Sequence, residues 1–335
     1  RIEVRARMGE ALRRLHSDPE GVTDEFRRLA GELPVLEAAG DDEGMARVWK
    51  GLGEQALMGG DPREMTEAYE RAALHAERAG DRALLADALG WLALIVWWDL
   101  TPPADAIERA RALRERLPDD RHVEAMTSSS EGLSLAMLGR FDEGRRLYDH
   151  ALGIFEELGL HHRAAGMRDG RSRIETLAGD VDAAGRELQA GYDALASMGE
   201  KGYLSSQAAM LADVRYRQGR LDEAEELTRI SEAAAASDDL VSQIQWRSAR
   251  AKVWARRGEH DAAIELGEQA VATAGGTSMW DLRSESLRDL AEIHRLAGRA
   301  DAAARALQRA LSLVEEKGVV PLIDRMHAEL AELDG

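Results

Sequence analysis

Gly139-Arg140-Phe141-Asp142 packs a helix stop and a helix start into four residues, and the chain repeats it. The pattern returns as Gly179-Asp180-Val181-Asp182, Gly219-Arg220-Leu221-Asp222, Gly258-Glu259-His260-Asp261 and Gly298-Arg299-Ala300-Asp301, at steps of 40, 40, 39 and 40 residues. A looser copy stands at Gly60-Asp61-Pro62. A degenerate one stands where Trp98-Asp99-Leu100-Thr101-Pro102-Pro103 occupies the expected place. A second series of breakers, Gly40, Gly80, Asp119, Gly159, Gly199, Asp238, Gly276 and Gly318, alternates with the first. The two series cut the chain into segments of roughly 16 to 18 residues, a helical length rather than a strand length. Glycine past a helix end adopts the left-handed conformation without a Cβ clash, and Asp three residues later is expected to cap the next helix. Each period of about forty residues therefore encodes one helix pair.

Between turns the residues are Ala, Leu, Glu and Arg with apolar spacings of three and four, as in Leu204, Ala208, Leu211 and Val214. Proline keeps to loops and helix starts except at Pro34, where a kink is expected. Small residues fall at fixed offsets from each turn glycine of the first series. Gly53, Gly132, Ser172, Ala212, Ala251 and Ala291 lie seven before it; Gly144, Ala184, Ala224, Ala263 and Ala303, with Met65 the one bulky exception, lie five after it. Ala72, Ala151, Gly191, Ser231, Ala270 and Ala310 lie twelve after it. Helices approach closely only where neither carries a bulky side chain, so these positions mark helix crossings.

These offsets resemble those of the tetratricopeptide repeat, which places small residues where its two antiparallel helices cross. The resemblance implies an all-α, right-handed superhelical solenoid of about eight helix pairs, closed by a capping helix within 319–335, with the whole of 1–335 as one repeat domain. The chain departs from the family pattern in its longer period and in lacking the proline that usually closes the second helix, which leaves the superhelical pitch open. A narrower resemblance runs from Ser237-Asp238-Asp239-Leu240-Val241-Ser242-Gln243 through Trp246-Arg247 and Ala255-Arg256-Arg257-Gly258-Glu259-His260 to Asp289-Leu290-Ala291-Glu292 and Leu296-Ala297-Gly298-Arg299. It is similar to the carboxy-terminal repeat region of large bacterial signalling proteins, in which a nucleotide-cyclase or DNA-binding output domain and an ATPase precede the array. That implies a sensory or regulatory arm whose partner is a protein, a peptide or another domain of the same parent chain, with a homo-oligomer left open. The absence of Met at Arg1 and of a signal-peptide pattern fits a piece of a longer protein.

Composition narrows the function further. Of 335 residues, 62 are Asp or Glu and 44 Lys or Arg, a net charge of −18 that argues against nucleic-acid binding. There is no cysteine, hence no disulfide, thiolate metal site or cysteine nucleophile, as in a reducing, cytoplasmic setting. The longest apolar stretch, Leu84 to Trp98, is interrupted by Asp87 and falls short of the ~20 residues of a membrane span. No phosphate-cradling loop is present: Gly51-Leu52-Gly53 runs straight into Glu54, Gln55 and Ala56. His161 and His162 are adjacent and diverge by about 100° on a helix, and the other histidines are scattered, so no metal or other cofactor is assigned. The chain is expected not to be an enzyme.

What remains is binding. Transferring the family's groove positions, six before each turn glycine, gives Glu54, Leu133, Arg173, Asp213, Lys252 and Glu292, with Asp169, Tyr216, Gln245, Arg256, Arg288 and Arg295 as inward-facing neighbours. Arg173, Asp213, Tyr216, Gln245, Lys252, Arg288 and Glu292 are thus the expected partner-binding residues of the concave face. Their charges could hold an extended peptide or neutralise one another across repeats. Seven tryptophans lie on or beside first helices, most of them expected to fill core. Trp97 and Trp98, where the repeat degenerates, are the candidate apolar anchors for a small-molecule or short-peptide effector, the alternative to a protein partner.

Overall fold

The computed structural model describes residues 2–334, which form eighteen α-helices and, among the described residues, no strand. The first pair is α1 (Ile2–Ser17) against α2 (Val22–Ala30) and α3 (Leu33–Ala38). Seven regular pairs follow: α4 (Asp42–Met58) with α5 (Pro62–Ala79), α6 (Arg82–Ile95) with α7 (Pro103–Arg116), α8 (Arg121–Met137) with α9 (Phe141–Glu157), and α10 (His161–Ala178) with α11 (Val181–Ser197). Then come α12 (Gly202–Arg217) with α13 (Leu221–Ala234), α14 (Leu240–Arg256) with α15 (His260–Gly275), and α16 (Trp280–Leu296) with α17 (Ala300–Lys317). A lone α18 (Val320–Asp334) covers the last pair, burying Leu322 and Met326. The stack coils into the expected right-handed superhelix. Among the described residues no helix is long and apolar enough to cross a membrane.

The turn glycines do what their positions require: Gly179 and Gly318 both sit at φ 84° and close α10 and α17. Capping differs from the expectation. The capping aspartates stand immediately after the breaker, not three residues on. Asp61 accepts from the Arg63 and Glu64 amides at 2.9 and 3.2 Å, Asp81 from Leu84 at 3.0 Å and Asp180 from Ala183 at 2.8 Å. Asp142, Asp222, Asp261 and Asp301 instead lie inside the first turn, where a carboxylate favours the positive end of the helix dipole. Pro34 does not kink a helix either. The chain breaks before it, and Pro34 sits near the start of α3, where its missing N–H leaves no bond unmade.

The crossings fall where the small residues predict. A Cβ added to Gly132 would meet the Gly144 carbonyl oxygen at 2.8 Å, and one on Gly53 would meet the Tyr69 ring at 2.6 Å. Ala184, Ala224, Ala251, Ala263 and Ala303 are buried.

The superhelix closes on itself. At one seam the Lys201 amide donates to the His16 carbonyl at 2.7 Å, and Ser237 donates to the Glu20 carboxylate through its amide and hydroxyl, so the first pair meets the sixth. At the next, the Ser278 amide donates to the Gly60 carbonyl and the Trp280 amide to that of Trp98. The degenerate repeat makes this seam: α6 ends at Ile95, and the loop carrying Trp97 and Trp98 docks on α16 and α17. Lys317 is buried in that loop, its ammonium donating to the carbonyls of Val96, Asp99 (2.9 Å) and Thr101 (2.7 Å). Arg325 of α18 bonds the Thr176 and Leu177 carbonyls at the end of α10.

Candidate functional site

Closing the superhelix leaves two adjoining, partly open chambers in its lumen. The larger, about 160 Å³, is walled by Leu57, Trp91, Leu94, Trp98, Leu133 and Met279, with Tyr203 and Asp169 among its polar groups. The smaller, about 110 Å³, is lined by Asp213, Arg217, Trp280, Glu285, Arg288 and Asp289. Trp97, Arg173, Met210 and Gln245 face both and form the partition.

The partition is fixed from opposite ends of the chain. Trp97 is 7% exposed; its indole N–H donates to Asp281 at 3.1 Å, and its carbonyl accepts from the Trp280 indole at 2.6 Å. Arg173 lies over the Trp97 ring, 5.2 Å from its centroid, and pairs with Asp281 at 3.4 Å and Glu285 at 3.7 Å. Gln245 Oε1 is buried and accepts no hydrogen bond. A buried amide oxygen without a partner is costly, so this atom is open to a donor.

Four of the seven residues expected on the concave face, Arg173, Asp213, Gln245 and Arg288, therefore line the lumen together. The other three lie beyond it in one ion-pair network. Lys252, 1% exposed, bridges Asp213 and Asp289, the latter at 2.7 Å, and lies over the Tyr216 ring; the Tyr216 hydroxyl donates to Glu292 at 2.6 Å. Burial works against the Lys252 charge, but the two aspartates outweigh it and raise its pKa. The charge ladder thus neutralises itself across repeats, and Lys252 is a core cation rather than a groove residue. Arg288 faces Glu329 of α18 at 3.7 Å. Of the tryptophan pair, Trp97 is buried in the seam and Trp98, half-buried, is the one in the wall.

Asp169, on the inward face of α10, has no hydrogen-bond donor near its carboxylate except the adjacent Gly170 amide, and burial raises its pKa despite Arg173 one turn on. Behind the chamber wall, Asp87 pairs with Lys50 and with Arg163 at 2.9 Å; burial opposes its ionisation, yet these two cations hold it at about 2. Glu54 is buried against the Tyr69 hydroxyl at 3.0 Å and pushed up by that burial. The larger chamber accordingly offers an apolar body, the Asp169 carboxyl held only by its neighbouring amide, and the Gln245 amide oxygen without a partner.

No family model matches the chain, and no curated protein matches its sequence. Its fold does have relatives among solved structures. It is similar to a chain of the APC/C hetero-tetramer Cut9–Hcn1, with a TM-score of 0.62 and 16% identity over 92% of this chain and 54% of that one. The chain thus spans about half the length of that neighbour. The Rap protein complexed with competence and sporulation factor matches over 99% of this chain and 100% of its own, with a TM-score of 0.53 and 12% identity. NprR in complex with its cognate peptide NprX matches over 88% and 82%, with a TM-score of 0.54 and 14% identity. The shared feature is the architecture, a solenoid of TPR-like helix pairs.

Proposed function

We propose that this chain is a regulatory binding arm, without catalysis of its own, that takes a small-molecule or short-peptide effector into the larger chamber. The observation that carries this is the closure of the solenoid around an apolar chamber whose wall presents Asp169 and the unpartnered Gln245 amide oxygen. A cavity of about 150 Å³ lined by apolar side chains takes up a single aromatic ring, so the occupant is a ring-sized or branched alkyl group bearing an ammonium or hydroxyl donor. A free amino acid, a small amine or the first residue of a short peptide has that shape. Rap with competence and sporulation factor and NprR with NprX are examples of binding within the same architecture. An extended protein segment laid along Asp213, Lys252 and Asp289 would have to displace ion pairs already made. In this reading the arm works in the cytoplasm beside an ATPase or output domain, as the resemblance of residues 237–299 implies.

The test is a thermal-shift and calorimetric screen of arylalkylamines, free amino acids and di- and tripeptides, since a ligand of the native state raises its stability. A hit should lose about ten- to a hundredfold in affinity in Asp169→Asn, the cost of a charge-assisted hydrogen bond, and less in Gln245→Leu. A panel that never moves the melting temperature, or hits indifferent to both substitutions, would refute the chamber as the site.

A further inference from the structure

The seam between the first and sixth pairs brings together three side chains that are far apart in sequence. His16 is in the last turn of α1, His162 in the first turn of α10, and Glu200 in the turn preceding α12. One ligand atom from each lies within 4.8 Å of the others. His16 Nδ1 is 3.1 Å from Glu200 Oε1 and His162 Nε2 is 3.8 Å from the same oxygen. The two imidazoles meet edge to face with centroids 4.7 Å apart, and Tyr203 closes the cluster at 5.5 and 5.4 Å.

We infer that His16, His162 and Glu200 form a binding site for a divalent transition-metal ion, of the zinc class, that staples the first helix to the middle of the superhelix. Ligands about 2.0 to 2.1 Å from a tetrahedral ion stand about 3.3 Å from one another, and the observed 3.1 and 3.8 Å bracket that spacing. Two imidazoles and one carboxylate leave a fourth position for water or an effector atom. The carboxylate is already oriented, because Glu200 Oε2 accepts from the Tyr203 and Leu204 amides at 2.9 and 3.0 Å and Oε1 shares the Tyr203 amide at 3.0 Å, which fixes the group at the start of α12 with Oε1 3.1 Å from His16 Nδ1. His162 Nε2 is buried and makes no hydrogen bond, so one ligand atom has no competing partner. Residue spacing alone cannot reveal this set, because His162 pairs with His16 from a different turn of the superhelix and not with its neighbour His161.

The site stands independently of the effector chamber but shares a wall with it, since His16 and Tyr203 also line the larger cavity. A bound ion therefore fixes that wall.

The experiment is zinc titration of the chelator-treated full chain by calorimetry, with cobalt(II) as a spectroscopic probe. One saturable equivalent, a raised melting temperature and a tetrahedral cobalt absorption band are expected. His162→Ala and His16→Ala should each weaken binding by more than about tenfold, at least the loss seen when a mere supporting residue of a metal site is removed. His161→Ala, which alters the exposed neighbour, should not. If His16→Ala fails to fold, the contrast between His162→Ala and His161→Ala still decides. Absence of saturable binding, or binding that His162→Ala leaves intact, would overturn the assignment.

Discussion

At the scale of the residue, the lumen and its wall hold carboxylates with opposite dependences on pH. Asp87 ionises more readily than an ordinary aspartate because Lys50 and Arg163 flank it, so its stabilisation is complete above about pH 4 and fades as pH falls toward 2. Glu285 behaves in reverse: partial loss of water around its carboxyl in the smaller chamber, with Asp281, Asp289 and Asp213 nearby, pushes it up to about 7 although Arg173 opposes them. The folded chain then holds a proton there that the unfolded chain has released. The contribution of this group is full below about pH 4.5 and lost as pH rises through 7. Glu285→Gln should therefore flatten the stability profile between pH 5 and 8 and raise stability at pH 8. The gain is about 1 kcal/mol, because water reaching this half-exposed side chain screens the full effect. Denaturant unfolding at the two pH values measures it; an equal loss at both would mean that Glu285 acts through its contact with Arg173 instead.

At the scale of the element, the same substitution should have opposite signs at two glycines. Gly132 lies at a helix crossing where a Cβ would fall 2.8 Å from the Gly144 carbonyl, whereas Gly153, well inside α9, has nothing within 4 Å. Gly153→Ala should stabilise by about 0.5 to 1 kcal/mol through helix propensity alone. Gly132→Ala should cost about 1 to 3 kcal/mol, because α8 and α9 must move apart, and Ala251→Leu belongs to the same class. Thermal melts of the three variants would show the pattern, and a stabilised Gly132→Ala would contradict the close crossing. These positions were legible in sequence because turn and crossing recur at a fixed phase, which places a small residue without knowledge of any neighbour. The caps were less so: a carboxylate one or three residues past the breaker serves the same helix end, by hydrogen bond at Asp180 or through the dipole at Asp182. At Pro34 the pattern showed the interruption but not that Gly31 would end α2 before it.

At the scale of the whole molecule, sequence phase placed some of the expected side chains at the lumen, but not Tyr216, Lys252 or Glu292, and it did not show what the inward ones meet there. Arg173, Asp213, Gln245 and Arg288 do reach the lumen, yet the partners of Arg173 are Asp281 and Glu285, about a hundred positions away and set by how far the superhelix advances per pair. No local spacing encodes that advance. The seams are also energetically distinct from the stack. In a solenoid each pair is held mainly by its immediate neighbours, so contacts between distant pairs can open without unfolding the helices. Lys317 is the contact to break: its ammonium satisfies three carbonyls of the loop that carries Trp97 and Trp98. Lys317→Met fills similar volume but leaves those carbonyls without a donor, and the loop can recover hydrogen bonds only by moving into water. Circular dichroism should then remain fully helical while the radius of gyration rises and tryptophan emission shifts to the red. Any ligand of the larger chamber should bind more weakly, because Trp98 leaves its wall. Cooperative loss of helicity in place of this expansion would mean that the closure between distant pairs is part of what folds the stack.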